Sequence, residues 1–214
     1  MDGYDPERRI GLVVDEWGTW HPAEPGRNSR LLWQQNTLRD GLVAALTLDI
    51  FNRHADKVVM ANIAQTINVL QSMILTEEEK MIKTPTFHAY EMYSPHQDAK
   101  ALRTSFEADS ISFGEGKNQI FGLAGSASLK KDELFLTVVN PHVDTAVEAT
   151  IELYGGKAVE GKARIMTHED IHAHNTFDAP DTVAPKDETF SADGSELHYT
   201  FQPASVTAIS LKIA

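Results

Sequence analysis

The residues best placed for chemistry lie in one short segment, residues 15–21, which reads DEWGTWH. Its two adjacent carboxylates, Asp15 and Glu16, can act as a nucleophile or as a proton donor. The indole rings of Trp17 and Trp20 can stack on the C–H-rich face of a sugar, beside a carboxylate that stabilises an oxocarbenium-like centre. The segment therefore favours chemistry on a carbohydrate. The alternative interpretation is a solvated acidic loop whose tryptophans only pack.

A strand is predicted directly before this segment. Residues 10–14 (IGLVV) form a continuous apolar run that stops at Asp15, as in a strand buried on both faces of a parallel sheet. Functional side chains in α/β folds concentrate at the carboxyl ends of such strands. The sequence therefore predicts that Glu16 lies where a buried parallel strand ends.

A helix and a second strand are predicted to follow. Asn36 or Thr37 can cap a helix that ends near Arg53, because its leucine and isoleucine residues recur on one stripe. Residues 57–62 (KVVMAN) then form a second short apolar run. The order strand, helix, strand is typical of a parallel sheet.

A further helix is predicted from Thr84 and Pro85, which suit the N-cap and the first helical position. We expect this helix to continue to about Leu102, with a bend at Pro95. Between the second strand and this helix lies an acidic run, residues 77–79, which is expected to be a solvated face.

The pattern changes after about residue 101, where short alternating strands are separated by turns that contain Gly, Asp or Pro, and where the acidic excess is larger. Five strands are predicted there, over residues 134–139, 146–153, 163–168, 197–201 and 206–213. We therefore predict two domains, an α/β domain over residues 1–100 and an antiparallel β-sandwich over residues 101–214.

Composition excludes several classes of function. The chain has 214 residues, a formal net charge of -12 and no cysteine. The negative charge argues against a nucleic acid partner, and the absence of cysteine excludes disulfides and thiolate chemistry. No run approaches the roughly 20 apolar residues of a membrane span, and the N-terminal residues do not resemble a signal peptide. We expect a cytoplasmic protein with no membrane partner.

Five stretches of the chain resemble, in order, family 51 of the glycoside hydrolases, the α-L-arabinofuranosidases. Residues 15–20 (DEWGTW) are similar to the nucleophile segment of that family, and the other stretches are residues 60–65 (MANIAQ), 68–71 (NVLQ), 83–88 (KTPTFH) and 174–177 (HNTF). The resemblance covers essentially the whole chain. It implies a retaining glycosidase that releases terminal α-L-arabinofuranosyl residues from arabinan, arabinoxylan or their oligosaccharides.

The resemblance also implies a fold and roles for individual residues. Glu16 matches the catalytic nucleophile, at the end of the seventh strand of a (β/α)8 barrel. Trp17 and Trp20 would shape the sugar pocket, and Gln71 would hydrogen-bond the arabinose. The implied fold class is α/β plus all-β: the last βα units of a barrel followed by an antiparallel β-sandwich. The family needs no metal or cofactor, and the complete enzyme is expected to be a homo-oligomer.

The retaining mechanism needs a second carboxyl group about 5–5.5 Å from the nucleophile. In the family this acid/base follows an asparagine, and no Asn-Glu pair occurs in the chain. A barrel alone takes about 250 residues, so we expect this chain to be the C-terminal part of such an enzyme and to be inactive alone. Asp15 is expected to face away from Glu16, so it does not replace the missing acid.

Two alternatives belong to other classes. The histidine-rich stretch at residues 168–174 (HEDIHAH) could form a metal site, but its spacing favours surface hydrogen bonding instead. The second alternative is a non-catalytic structural or carbohydrate-binding β-sandwich module. All three tryptophans precede residue 101, so the sequence favours the enzyme over a sugar-binding sandwich.

Overall fold

The computed structural model describes residues 3–22, 26, 28, 30, 34–70 and 72–214. Strands and helices alternate in the first part of the chain, in the order β1 (Leu12–Trp17), α1 (Leu38–Arg53), β2 (Val58–Ile63), β3 (Ile74–Glu77), β4 (Lys80–Lys83) and α2 (Pro85–Tyr93). The second part consists of strands: β5 (Lys100–Leu102), β6 (Ile111–Phe113), β7 (Asn118–Ile120), β8 (Ala124–Lys130), β9 (Glu133–Asn140), β10 (Val147–Glu152), β11 (Ala158–Thr167), β12 (Lys186–Phe190), β13 (Glu196–Phe201) and β14 (Ser205–Ile213). The fold is mostly β with few helices.

Strands β1 and β2 form the predicted parallel pair, in which Val13 lies opposite Met60. The prediction that β1 is buried on both faces is wrong. Val13 is 47% exposed, and Val59 on the neighbouring strand is 67% exposed. Within the described part of the chain, β1 pairs with no strand other than β2, and its residues Leu12 and Val13 remain exposed. The strand also continues three residues beyond the predicted run, from Asp15 to Trp17, and so includes Glu16.

Helix α1 begins and ends as predicted, with Thr37 as its N-cap and Arg53 as its last residue. The backbone N–H and the hydroxyl of Thr37 both donate to Asp40 Oδ2, at 2.9 Å each, so the first turn is tied to the residue before it. The next two backbone N–H groups of the helix, those of Leu38 and Arg39, donate to carbonyls of the loop after β11. A distant segment thus accepts hydrogen bonds from backbone N–H groups that have no acceptor within the helix.

Helix α2 begins at Pro85 behind the predicted N-cap, but it ends at Tyr93 instead of continuing to Leu102. Pro95 lies in a single 3₁₀ turn, Ser94–His96. Proline has no N–H to donate to the carbonyl four residues earlier, and the Glu91 carbonyl accepts from the Ser94 N–H and hydroxyl instead. The chain then enters β5, so Pro95 ends the helix and does not bend it.

The acidic run at residues 77–79 is the turn of a short hairpin that the sequence did not predict. Strands β3 and β4 pair antiparallel, and the turn between them contains Glu78 with a φ of +52°. All three glutamates are exposed, which agrees with the predicted solvated face.

The second part is dominated by one antiparallel sheet with the order β12-β11-β14-β9-β8-β5. A two-stranded sheet, β10-β13, and a hairpin, β6-β7, complete it. All five predicted strands are present, although β11 starts earlier than predicted. The sequence missed β5, β6, β7, β8 and β12. Strand β8 was missed because its sequence, AGSASLK, lacks the β-branched and aromatic residues that are typical of strands.

The six-stranded sheet is the middle layer of the fold. Side chains of α1 and α2, such as Leu38 and Met92, pack with Val139, Met166 and Val206 on one of its faces. The opposite face packs against β10 and β13 in a second cluster, which includes Leu136, Val138, Phe201, Ile209 and Leu211. The helices of the first part therefore share a core with the strands of the second part. This common core sets the position of the helix N-termini, beside which the candidate site lies.

Candidate functional site

The two candidate carboxylates lie in the last half of β1. Asp15 and Glu16 are both exposed, and within the described part of the chain no hydrogen bond or ion pair engages either carboxylate. An exposed carboxylate without a partner keeps its lone pairs for an incoming group. The site thus presents Glu16 at the carboxyl end of a parallel strand, as predicted.

Trp17, the last residue of β1, points into the structure. Its ring meets the Phe51 ring edge-on, with 5.6 Å between centroids, and stacks on the Tyr90 ring at 6.3 Å. These two rings come from α1 and α2, so Trp17 joins the strand to both helices. Burial raises the pKa of the Tyr90 hydroxyl in this packed environment. The contact of Trp17 with a sugar stays a prediction, and its observed contacts are those of packing.

Trp20 is 64% exposed, in the loop that follows β1. Gln34 holds both neighbours of Trp20 in the chain: its Nε2 donates to the Thr19 carbonyl, and its Oε1 accepts from the His21 N–H, each at 3.0 Å. The backbone on either side of the indole is therefore held while the ring itself faces solvent. This arrangement suits a side chain that stacks on a ligand.

A buried carboxylate that the sequence analysis missed organises this loop. Asp40, in the first turn of α1, has a side chain that is 0% exposed. Its Oδ1 accepts from the Thr19 hydroxyl at 3.0 Å and lies 3.2 Å from His21 Nε2, while its Oδ2 accepts from Thr37. The spacing Thr37-x-x-Asp40 is a capping-box pattern and could have identified Asp40 as a first-turn partner. His21 is therefore bound to a helix start.

Gln71, the predicted arabinose-binding residue, lies outside the described residues. Its neighbours Leu70 and Ser72 line a cavity of about 260 Å³, together with Gln34, Asn36 and other side chains. The cavity lies between the segment before α1, the loop before β3, strand β3 itself and Phe177 of the loop after β11. Three distant parts of the chain therefore meet at this cavity.

A larger cavity of about 550 Å³ lies between α2 and the six-stranded sheet. Its charged groups are largely paired with one another, since Arg164 lies 3.7 Å from Glu91 Oε2 and 3.3 Å from Asp187 Oδ1. His88 Nδ1 lies 3.3 Å from the same Glu91 oxygen. Glu91 is therefore engaged in ion pairs rather than presented to a ligand.

The histidine-rich stretch forms local hydrogen bonds in its loop. His168 Nδ1 accepts from the Asp170 N–H at 3.0 Å, and His174 Nδ1 lies 3.2 Å from the His172 carbonyl. Among the residues that the structure describes, no group of three or more His, Asp or Glu side chains could hold a metal ion. Nor does the described part of the chain contain a helix of the length and apolarity that a membrane crossing requires.

Comparison with known proteins gives a consistent match. Residues 15–205 match the family model described as the alpha-L-arabinofuranosidase C-terminal domain. An intracellular exo-alpha-L-arabinofuranosidase of Bacteroides ovatus is 40% identical over 185 residues, which cover 86% of this chain and 36% of that protein. The intracellular exo-alpha-(1->5)-L-arabinofuranosidase 1 of Bacillus subtilis is 25% identical over 96% of this chain and 43% of that protein.

Solved structures agree with these relatives. The GH51 arabinofuranosidase of Xanthomonas axonopodis pv. citri superposes with a TM-score of 0.91 at 38% identity, over 99% of this chain and 43% of that one. The α-L-arabinofuranosidase of Thermotoga maritima, solved as an arabinose complex, gives a TM-score of 0.83 at 28% identity, over 97% and 44%. The chain thus spans about two fifths of the length of these relatives.

Proposed function

Because the chain belongs to the family of the α-L-arabinofuranosidase C-terminal domain, we propose that it carries the nucleophile half of a retaining glycosidase. The substrate class is the terminal α-L-arabinofuranosyl residue of arabinan, arabinoxylan or their oligosaccharides, and the names of the relatives support it. The observation that carries the proposal is the exposed carboxylate of Glu16 at the end of a parallel strand, next to the loop of the exposed Trp20.

In the proposed mechanism, Glu16 attacks the anomeric carbon of the arabinofuranosyl ring and forms a covalent ester as the bond to the leaving oxygen breaks. The leaving oxygen takes a proton from a second carboxyl group, which then removes a proton from the water that hydrolyses the ester. Trp20 and Gln71 would bind and orient the sugar ring. The second carboxyl group would come from the part of the protein that the relatives have and this chain does not span.

The proposed fold of the first hundred residues is the end of a (β/α)8 barrel, in which β1 with α1 and β2 with α2 are its last two units. Residues 101–214 would form the sandwich domain. The parallel pairing of β1 with β2 supports this proposal, as do the exposed apolar side chains Leu12, Val13, Val59 and Met60. Such faces need a cover, and further barrel strands would supply it.

We place the complete enzyme in the cytoplasm, since relatives from Bacteroides ovatus and Bacillus subtilis are both named as intracellular enzymes. We also propose a homo-oligomer for the complete enzyme. The sandwich would then brace the barrel and support the assembly, with no metal or cofactor in the reaction.

An assay with an aryl α-L-arabinofuranoside tests the proposal. We expect the 214-residue chain alone to show no turnover, because a single carboxylate cannot supply both steps. A mixture with a polypeptide that carries the first six barrel units should be active, and Glu16→Gln in this chain should reduce that activity by several orders of magnitude. Asp15→Asn is the matched control, because it changes an equally exposed neighbouring carboxylate.

Two results would contradict the proposal. A robust rate from the chain alone would show that the second carboxyl group is already present. Activity of the mixture that survives Glu16→Gln would remove the nucleophile assignment.

A further inference from the structure

The cavity of about 260 Å³ beside Gln34 has walls from both parts of the chain. Gln34, Asn36 and Asn68 line it from the first part, and Phe177 lines it from the loop after β11. Ligand pockets for drug-sized molecules occupy about 300–1,000 Å³, so this cavity suits a smaller occupant of about one ring.

The lining is polar but uncharged. Amide and hydroxyl side chains alternate with apolar ones, and none of the lining residues that the structure describes is acidic or basic. These described residues offer no counter-charge to a phosphate or carboxylate ligand and no carboxylate to a cation. They also offer no carboxyl group for the retaining cleavage of a glycosidic bond. The chemistry therefore favours a neutral, hydroxyl-rich ligand that is held and not cleaved.

Two of the lining amides are held in place. Asn36 Nδ2 donates to the Thr86 hydroxyl at 2.8 Å, and its Oδ1 accepts from the Thr86 N–H. Asn68 Nδ2 donates to the Thr76 hydroxyl at 2.8 Å, and its Oδ1 accepts from the Thr76 N–H. Each amide is therefore held at two points, once through its N–H donor and once through its carbonyl oxygen. Amides fixed in this way bind a hydroxyl group without a large loss of side-chain entropy.

The aromatic residue Phe177 lines the same cavity from a loop that is itself anchored. Asn175, which is 3% exposed, donates from Nδ2 to the carbonyls of Lys83 and Val183 and accepts from the Val183 N–H at 2.7 Å. These bonds tie the loop that carries Phe177 to the end of β4. A half-buried aromatic ring and amides in one cavity suit a sugar, whose C–H face stacks while its hydroxyls form hydrogen bonds.

The cavity is also connected to the candidate catalytic loop. Gln34 lines the cavity and at the same time holds the peptide groups on both sides of Trp20. The same side chain therefore lines the cavity and holds the backbone on both sides of Trp20.

We propose that this cavity is a non-catalytic carbohydrate subsite, which takes a neutral pentose unit of the substrate other than the one attacked by Glu16. The inference rests on the proposed function and extends it, because it assigns a binding role to Phe177 of the strand-rich part. The second part of the chain then contributes directly to substrate binding and does more than brace the first part.

A titration of the ¹⁵N-labelled 214-residue chain with α-(1→5)-linked arabinotriose tests the subsite. We expect saturable shifts of the side-chain amide signals of Gln34, Asn36 and Asn68. Phe177→Ala should weaken binding about 2- to 10-fold, the value of one aromatic contact. Phe113→Ala is the matched control, since Phe113 is 50% exposed on the β6-β7 hairpin and does not line the cavity, and it should leave binding unchanged.

If the alanine variant does not fold, Phe177→Leu replaces it in the titration, because leucine keeps the apolar bulk and removes the ring. We expect Phe177→Leu to weaken binding as well. Equal affinity of wild type and a folded Phe177 variant would overturn the subsite, and so would saturable shifts confined to Glu16 and Trp20. The second result would leave the substrate class intact. The assay with Glu16→Gln does not depend on this cavity, so each proposal can fail without the other.

Discussion

At the scale of single residues, Asp40 connects more of the candidate site than any residue identified from the sequence. One oxygen of its buried carboxylate accepts from the N–H and the hydroxyl of Thr37, the N-cap of α1. The other oxygen accepts from the Thr19 hydroxyl and lies close to His21 Nε2. The helix start and the Trp20 loop are therefore positioned by the same group. A buried carboxylate accepts on both oxygens, and an amide of the same shape cannot.

We expect Asp40→Asn to lower the free energy of unfolding by about 1–3 kcal/mol, because one set of buried donors loses its acceptor. Urea denaturation followed by tryptophan fluorescence measures this change. Asp56→Asn is the control, since Asp56 forms an exposed ion pair with Arg8 and its loss should cost less than about 1 kcal/mol. Equal effects of the two substitutions would show that Asp40 does not organise the loop.

At the scale of elements, α1 and α2 are joined to the six-stranded sheet by a buried polar network as well as by the apolar cluster. Asp49 Oδ1, on α1, accepts from the hydroxyls of Ser126 and Thr137 at 2.7 and 2.9 Å. His96 lies between Ser128 and Thr137, with ring nitrogens 2.7 and 3.2 Å from their hydroxyl oxygens. These side chains link the helices to β8 and β9.

Burial shifts the pKa values of two groups in this network, Asp49 and His96, in opposite directions. It raises the pKa of Asp49 from 3.8 to about 6, although the hydrogen bonds from Ser126 and Thr137 and the charge of Arg53 act against the shift. Burial also lowers the pKa of His96 from 6.5 to about 4. Both groups therefore favour their neutral form in the folded chain. The nearby Tyr93 hydroxyl stays protonated as well, since burial and the Asp49 carboxylate raise its pKa.

The two shifts oppose each other in the pH dependence of stability. The contribution of Asp49 to the free energy of unfolding is fully present below pH 3.8 and is lost as the pH rises through about 6. The contribution of His96 is fully present above pH 6.5 and is lost as the pH falls through about 4. Between about pH 4 and 6 the folded chain carries a proton on Asp49, and the unfolded chain carries one on His96. Folding then changes the number of bound protons little, so the two contributions to the pH dependence of stability largely cancel.

Substitutions should separate the two contributions. Relative to wild type, Asp49→Asn should become more stable as the pH rises from 4 to 6, and His96→Gln should become less stable over the same range. Each change is on the order of 3 kcal/mol, since one pKa unit corresponds to about 1.4 kcal/mol. Chemical denaturation at several pH values measures both slopes. Slopes of the same sign would show that burial does not govern these two groups.

At the scale of the whole molecule, one region buries its apolar side chains on both faces of a sheet and another region exposes them. The six-stranded sheet is covered on both faces, by helices on one and by β10-β13 on the other. The parallel pair β1-β2 instead exposes Leu12, Val13, Val59 and Met60. Exposed strand edges and contiguous apolar side chains are sites of association.

We expect the isolated chain to self-associate through this parallel pair. Val59→Lys should shift the equilibrium towards the monomer, because a charge on the exposed face opposes its burial in a contact. Sedimentation velocity over a range of concentrations measures the effect. Val143→Lys is the control, since Val143 is 54% exposed in a loop of the second part. A wild-type chain that stays monomeric, or an equal effect of both substitutions, would contradict the expectation.

The sequence by itself determined those features that depend on neighbouring residues. The bounds of α1, the N-cap at Thr84 and the strands from β9 to β14, except for β12, follow from capping and from short-range apolar periodicity. The apolar run at residues 10–14 also predicted a parallel strand that ends near Glu16, and β1 contains Glu16 as its penultimate residue. Such features need only local backbone geometry, which a short window of sequence contains.

Only the tertiary structure decided how these elements bury one another. It exposed the apolar face of β1, turned Trp17 towards Phe51 and Tyr90, and brought Phe177 to a cavity beside Gln34. It also buried Asp40 and Asp49 among hydroxyl donors, and those of Asp49 lie more than 70 residues away in the chain. Burial and long-range hydrogen bonds depend on which surfaces meet in space, and no local pattern of residue types encodes that.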